Sequence, residues 1–566
     1  MSISQLVAEA TSSGVYLYTE GGQLKYKLSV TSFPDEIKQR ILKHKQAVIQ
    51  FLDQVDAESK PQITALASYD GLFPLSYAQQ RLWFIDRFEG QSAQYNIPKA
   101  IKVSGSFSID IAEKAIERLI WRHQILRTTY VEIEGEPRQQ VNSDFVFQVK
   151  RIDLTGIDST TQDSQLDTLI THDARANFDL SNDLMLRASF IVTAAVDQGV
   201  LLFNMHHIAS DGWSMNILIR EFIAEYTALM TGQPSRSIPL EIQYVDFAQW
   251  QQDWLTESRL ANELNYWQKQ LADAPLLHGL PLDKPRPSSK GNHGAKVTSS
   301  YSASAITEFA KSQGMTPFMV FHAALSIVLC RHSNQREFII GTPVANRQDC
   351  ALSPLIGFFV NTLILKSSME HGSVLEFLHH IRDTNLAAQS HQDLPFEQIV
   401  EHCQVERSLQ HTPIFQVMLS MFQESPNSSP QLALQGVQFD AISKQVTSTK
   451  YDLDIGVSMI DNQCSVTWVY DTDLFHAQTI ELFDSHFNRV LTSLLQQPQD
   501  LPLSQLMMLS DIEQQYLTET LNDTDRAYEQ NVLLHELFER QAAANSQAIA
   551  VVSGAEQLTY GALNQQ

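Results

Sequence analysis

The stretch that most restricts the fold is Gly199-Val200-Leu201-Leu202-Phe203-Asn204-Met205-His206-His207-Ile208-Ala209-Ser210-Asp211-Gly212-Trp213-Ser214. A short apolar run bounded by a glycine and ending in two histidines has the length of a buried strand rather than a helix. A tight polar corner holding Asp211 and Gly212 follows, and then a helix opens. Leu218, Phe222, Tyr226 and Leu229 share one apolar stripe at helical period. His206 and His207 therefore end a strand, and Asp211 lies between that strand and a helix N-terminus. Functional side chains concentrate at such strand-end turns on a rigid scaffold.

A histidine followed four residues later by an aspartate carries little information. With 18 histidines in the chain and Asp at ~5% of residues, about one such match arises by chance. A second histidine before it and a glycine after it lower that expectation roughly 500-fold at average usage. Two readings stand at this point. In one, both histidines are satisfied core residues in a strand-to-helix turn, and Gly212 supplies a positive φ. In the other, the turn presents an imidazole for chemistry.

Bulk properties narrow the classes. A length of 566 residues suggests about four domain-sized units. Hydrophobic residues at 43% give ample core, and the net charge of -24 argues against nucleic acid or an anionic membrane as partner of the whole chain. Cys330, Cys350, Cys403 and Cys464 lie far apart with no CxxC, which indicates neither a disulfide framework nor a metal site. The start lacks a basic and apolar leader, and no 18-residue apolar run occurs later. A cytoplasmic protein is expected.

Residues 1–52 read as a small unit. Leu6, Val7 and Ala10 suggest a short helix. Val15–Tyr18 and Leu24–Leu28 alternate at period two across Glu20-Gly21-Gly22, a hairpin signal. Pro34-Asp35-Glu36 opens a further helix, with Ile37, Ile41, Val48 and Phe51 apolar among Lys38, Arg40, Lys43 and Lys45. The basic residues suit capture of an acidic peptide and equally suit a solvated helix face. This order, with Gly14–Leu17 and Leu42–Lys45 in place, resembles the TubC-type docking domain that begins nonribosomal peptide synthetase subunits. The resemblance implies that the unit binds the C-terminal tail of an upstream subunit, with Lys25 and Lys27 as contacts by strand addition or charge pairing.

Residues 53–72 are polar and weakly periodic, as a linker would be. Beyond them, motifs fall in the family order of a condensation domain over roughly 340 residues. They are Ser76–Phe84, Arg122–Thr128 (with Gln124 where the family usually has Glu), Met205–Ser214, Tyr244–Trp250, Ile356–Thr362, His391–Glu397 and a degraded Arg407 to Phe415. The resemblance implies an α/β (α+β) fold, a V-shaped pseudo-dimer of two chloramphenicol-acetyltransferase-like lobes around a tunnel. The lobes would span 73–250 and 251–505. Leu521–Thr524, His535–Phe538 and Leu558–Tyr560 resemble the opening of an adenylation domain, so 506–566 is expected to be a linker and the truncated start of one.

By the same resemblance, carrier domains bring donor and acceptor thioesters on phosphopantetheine arms, and no cofactor is bound directly. His207 is the expected catalytic residue, as general base or as an electrostatic or positioning group. A buried Asp211 needs a partner, and Arg347 matches the family's arginine that pairs with it. Gly212 would keep the tunnel open, and His206 would be a strand-end packing residue. Ser214 and Asn361 are tunnel candidates, Trp213 is expected in the core, and Arg122 and Arg127 are expected in the scaffold. Epimerisation shares the histidine pattern, but such domains follow a carrier. Heterocyclisation domains replace the histidines with aspartates. A non-catalytic recruiting scaffold and a free-standing coenzyme A acyltransferase are the remaining alternatives. Ser92–Pro98 resembles domains that take a D-configured donor.

Overall fold

A computed structural model describes residues 61–566 apart from 91–92, 195–197, 236, 292, 404, 406–407, 424–436, 442–448, 461 and 499. Within the first sixty residues it describes two strands and five helical positions. The expected hairpin forms: β1 (Val15–Glu20) and β2 (Gln23–Leu28) pair antiparallel, with Lys25 and Lys27 opposite Tyr18 and Tyr16. In the following helix Ile41 and Val48 are buried. The helix expected at Leu6–Ala10, the positions Ile37, Lys43 and Phe51, and Ser92 and Arg407 lie outside the described residues.

From residue 61 the chain runs β3 (Leu72–Pro74), α1 (Tyr77–Glu89), β4 (Asn96–Gly105), α2 (Ile109–Arg122), β5 (Thr128–Ile133), β6 (Glu136–Val141), β7 (Lys150–Asp153), α3 (Ser159–Ala174), β8 (Leu186–Val192), β9 (Gly199–His206), α4 (Gly212–Thr231) and α5 (Tyr244–Trp254). It continues α6 (Glu257–Leu271), β10 (Gly294–Ser302), α7 (Ala303–Ser312), α8 (Pro317–Ser333), β11 (Glu337–Val344), β12 (Asn361–Ser368), α9 (Val374–Ser390), α10 (Phe396–His402), β13 (Val417–Gln423), β14 (Val437–Ala441), β15 (Leu453–Ile460), β16 (Gln463–Asp471) and α11 (Ala477–Gln496).

Two large sheets result, ordered β14-β4-β9-β8-β7 and β10-β16-β15-β13-β11-β12, and β3, β6 and β5 form a small third sheet. All eight residues of β9 are buried. The strand lies between β4 and β8, with the α2 and α4 side chains of the main core on one face and Leu166, Leu169 and Ile170 of α3 on the other. A strand covered on both faces reads as a continuous apolar run, which is what Gly199–Met205 shows. In the second lobe Met319 through Cys330 of α8 are buried without a break, and the two polar residues among them, His322 and Ser326, both bond Ser367.

Segments from beyond the expected division at 250 join the first sheet and its core. β14 lies late in the chain yet pairs antiparallel with β4, Val437 opposite Gly105, and completes the first sheet. Phe439 on it meets the rings of Phe107, Phe222 and Tyr226. The segment after β11 reaches the same core through Leu352, Leu355, Ile356 and Phe359.

The expected linker is anchored over its described part. Ile63 is buried, Trp250 donates to the Pro61 carbonyl at 2.7 Å, and Asp246 accepts from Leu66 N and Tyr69 Oη, each at 2.9 Å. Burial and the Asp246 carboxylate together push the Tyr69 phenol well above its ordinary range.

The chain separates into two compact units after Leu506. The second contains α12 (Asp511–Gln515), α13 (Leu534–Ala544), a hairpin of β17 (Ile549–Ser553) and β18 (Glu556–Thr559), and α14 (Tyr560–Gln565). Among the described residues no single helix is long and apolar enough to cross a membrane, and no group of three or more His, Cys, Asp or Glu is arranged for a metal ion.

Candidate active site

The end of β9 is held from several sides. His206 pairs with Asn96 of β4 in the ladder, and its N–H donates to the Met185 carbonyl at 3.3 Å. Its ring is buried, meets Phe178 edge-on at 5.7 Å, and accepts the Ile208 N–H on Nδ1 at 3.2 Å. Burial and the neighbouring His207 lower its pKa to about 3, so the ring is neutral.

His207 begins a single 3-10 turn that ends at Ala209. Its Nδ1 lies 2.8 Å from the Ser210 carbonyl oxygen. A carbonyl can only accept, so Nδ1 carries the proton and Nε2 keeps its lone pair. The ring packs on Phe358 at 4.4 Å between centroids. Burial first, and the charge of Lys450 next, lower its pKa to about 3. Beneath the turn, Gln79 of α1 donates to the Ile208 carbonyl at 3.2 Å and Ser210 Oγ donates to the His206 carbonyl at 3.0 Å.

Asp211 caps α4 and is fully buried. Its Oδ1 accepts from Ser214 N at 2.8 Å and Ser214 Oγ at 2.7 Å, and its Oδ2 accepts from Phe359 N at 3.2 Å. Arg347 completes the shell, with Nη2 3.3 Å from Oδ1, while Nη1 donates to the Leu352 and Leu355 carbonyls at 2.6 and 2.7 Å. The guanidinium also lies 4.2 Å from the centroid of Phe359. The pairing expected from sequence is present, and it ties a helix of the first lobe to the segment that follows β11.

Two expectations change. Trp213 is not core: it is 51% exposed, with Nε1 3.3 Å from the Ser353 carbonyl. Ser214 does not line a passage; it is fully buried, and its hydroxyl accepts from Gly357 N at 3.0 Å and from Arg347 Nη2 at 3.1 Å. Ser214 stands four residues before Leu218, on the same apolar stripe, so the sequence already held the signal that separates the two. Asn361 lines the small cavity beside Phe358, and its amide is held by backbone, donating to the Gln392 and Leu394 carbonyls and accepting from Thr362 N and Phe396 N. Gly212 has no positive φ. A Cβ there would meet no heavy atom within 4 Å, so open space flanks it at the start of α4.

Both arginines expected in the scaffold have protein partners. Arg122 Nε lies 3.1 Å from Glu221, which also receives His123 Nε2 at 2.8 Å, and Arg127 donates to the Asn142 carbonyl and covers the Trp121 ring. Sequence reasoning assigned no role to Gly357, Tyr244, Ser210 or Lys450. A Cβ on Gly357 would overlap the Tyr244 and Phe359 rings, and Tyr244 Oη donates to the Phe358 carbonyl at 2.7 Å, fixing the wall that faces His207.

A two-lobed fold with a neutral, oriented imidazole at its strand-end turn defines the class to which the chain is similar. The Condensation domain model matches residues 69–518, and the TubC N-terminal docking domain model matches residues 3–54. Gramicidin S synthase 2 of Brevibacillus brevis is 32% identical over 526 residues, covering 89% of this chain and 11% of that protein. Malpinin synthetase of Mortierella alpina is 37% identical over 511 residues, covering 90% of this chain and 6% of that protein. The chain thus spans a small part of these relatives. Among solved structures, a holo four-domain nonribosomal peptide synthetase bound to AMP and glycine superposes with a TM-score of 0.73 at 22% identity, over 90% of this chain and 39% of that one. The X-domain from teicoplanin biosynthesis gives 0.70 at 23% identity, over 79% and 100%. The chain belongs to the condensation-domain family, preceded by a TubC-type docking domain.

Proposed function

We propose that the chain forms an amide bond between an upstream carrier-bound aminoacyl or peptidyl thioester and a downstream carrier-bound amine, as part of a nonribosomal peptide synthetase. The observation that carries this is His207, held by the Ser210 carbonyl as the Nδ1–H tautomer with Nε2 free. The amine nitrogen attacks the thioester carbonyl carbon, His207 Nε2 takes a proton from that nitrogen, and the C–S bond breaks as the intermediate collapses. The same proton passes to the departing sulfur. Tethering both substrates raises their effective concentration, which reduces what the base must contribute. The phosphopantetheine arms belong to the carriers.

A passage to His207 is consistent with two cavities, of about 340 and 20 Å³, that share Gln251, Asn346 and Asp393. The larger is lined by Trp250 and Trp254, and the smaller reaches Phe358, on which the His207 ring lies. In this reading the two lobes form the arms of a V, the docking domain recruits the preceding subunit through Lys25 and Lys27, residues beyond 506 begin an adenylation domain, and the assembly works in the cytoplasm.

A second reading, recruitment without catalysis, draws on the X-domain similarity, since a solved structure holds that domain in complex with OxyB. One experiment separates the two. Donor and acceptor carrier proteins are loaded with defined aminoacyl thioesters, and dipeptide is followed by mass in a single turnover. Wild type yields dipeptide and His207→Ala yields it at least about 100-fold more slowly, the size of a general-base contribution. Equal rates for the two refute the assignment.

A further inference from the structure

The first sheet pairs Asn96 with His206, so Tyr95, one residue earlier, stands at the same end of the sheet as His207. Over the Tyr95 ring lies Lys450 Nζ, 4.8 Å from its centroid. Lys450 comes just before β15, between residues that are held in place. Thr449 Oγ1 donates to the Tyr451 carbonyl and accepts from Tyr451 N, Tyr451 stacks on Phe415, and Asp452 is paired with His278, Arg286 and Lys290. Thr449 and Asp452 are buried, whereas the Lys450 side chain is open to solvent. Protein around the ammonium, and next the charge of Arg81, lower its pKa to about 8.

The other cations near His207 are committed. Arg81 is paired with Glu397 at 2.9 Å, Arg347 with Asp211, and Arg187 lies on the Phe178 ring while donating to the Ala176 and Asn177 carbonyls. Among the described residues no carboxylate lies within ion-pair distance of Lys450. Asp454 acts on it from farther off, and both histidine rings feel its charge.

We propose that Lys450 is a catalytic residue of this site: its ammonium, held over Tyr95 at the end of the sheet where β9 leads into His207, receives the negative charge that develops on the thioester carbonyl oxygen as the amine attacks. The proposal rests on the amide-forming reading above. A cation fixed before the reaction at the point where charge appears needs no reorganisation, and removing one such donor from an acyl-transfer site costs about 100- to 1000-fold in rate. No proton leaves Lys450. It stabilises the oxyanion until the C–S bond breaks and the carbonyl re-forms, while His207 handles the proton of the amine.

The groups that face the ammonium and set its titration are Tyr95, Arg81 of α1, Asp454 of β15, and the two histidines. Arg81 in turn is felt by Tyr95, Tyr451 and Glu397 of α10. The ammonium form is lost as pH rises through its lowered value, so the Lys450-dependent acceleration falls away above pH of about 8.

The test uses the whole chain with loaded carrier proteins and single-turnover dipeptide formation. Lys450→Met is expected to be about 100-fold slower with an unchanged melting temperature, because the side chain is open to solvent. Lys450→Arg retains most of the rate and shifts the alkaline fall-off upward, since a guanidinium keeps its proton, a readout that a structural role would leave in place. Lys450→Met within about threefold of wild type overturns the proposal, as does an Arg variant with an unmoved fall-off. A wild type that makes no dipeptide overturns the amide-forming reading instead.

Discussion

The ion pair beneath the histidine turn allows stability and chemistry to be separated by one substitution. In Asp211→Asn the Oδ1 position still accepts from Ser214 N at 2.8 Å. The new amide replaces Oδ2, which now accepts from Phe359 N, and sets a donor against a donor. It also leaves Arg347, whose side chain is 3% exposed, without a counter-charge. Breaking a buried pair from one side costs about 3–5 kcal/mol. Arg347 keeps the Leu352 and Leu355 carbonyls as acceptors, which places the expectation near the lower end, at about 3 kcal/mol. The assay is urea unfolding of the whole chain followed by tryptophan fluorescence, with the midpoint falling and the slope unchanged. His207→Ala provides the contrast, because its ring gives up one hydrogen bond, to the Ser210 carbonyl, at about 1 kcal/mol. Dipeptide formation falls in both variants, whereas large destabilisation belongs to Asp211→Asn. A shift below about 0.5 kcal/mol for Asp211→Asn, the size of an ordinary surface change, refutes the argument that this pair holds the turn.

Three further outcomes follow from the same geometry. Gly357→Ala forces a methyl into the Tyr244 and Phe359 rings; a loss of about 1–3 kcal/mol or more is expected in the same unfolding assay, with slower product formation as Phe358 moves off His207. For pH, the folded values of His206 and His207 are both depressed, to about 3, below their ordinary value of about 6.5. The unfolded chain therefore binds protons first as pH falls. Stability contributed by the neutral rings is complete above pH of about 6.5 and declines steadily below it toward the folded values. Urea midpoints at stepped pH check this sign. His207 also stays neutral throughout the neutral range, so acidic loss of rate between pH of about 8 and 6 tracks the substrate amine, and a fall-off that persists unchanged with an acceptor amine of much lower pKa contradicts the assignment.

Much of the site was legible because periodicity and turn chemistry are local. The strand ending at His206, Asp211 at the start of α4, and the pairing of β1 with β2 all follow from residues near one another. Position along a stripe also separated Ser214 from Trp213, although the aromatic character of Trp213 suggested core.

The sequence by itself determined which faces were apolar and where the histidine turn would lie, since a strand or helix declares its buried side by its repeat. It could not declare which neighbour covers that side. Only the tertiary structure brought β14 to the edge of the first sheet, filled the hydrogen-bonding capacity of Asn361 with backbone, fastened residues 61–69 along α5, and set Lys450 over Tyr95. Each of these joins segments distant in the chain, and what decides them is the core volume left open and the buried polar groups left without partners once the local elements have formed.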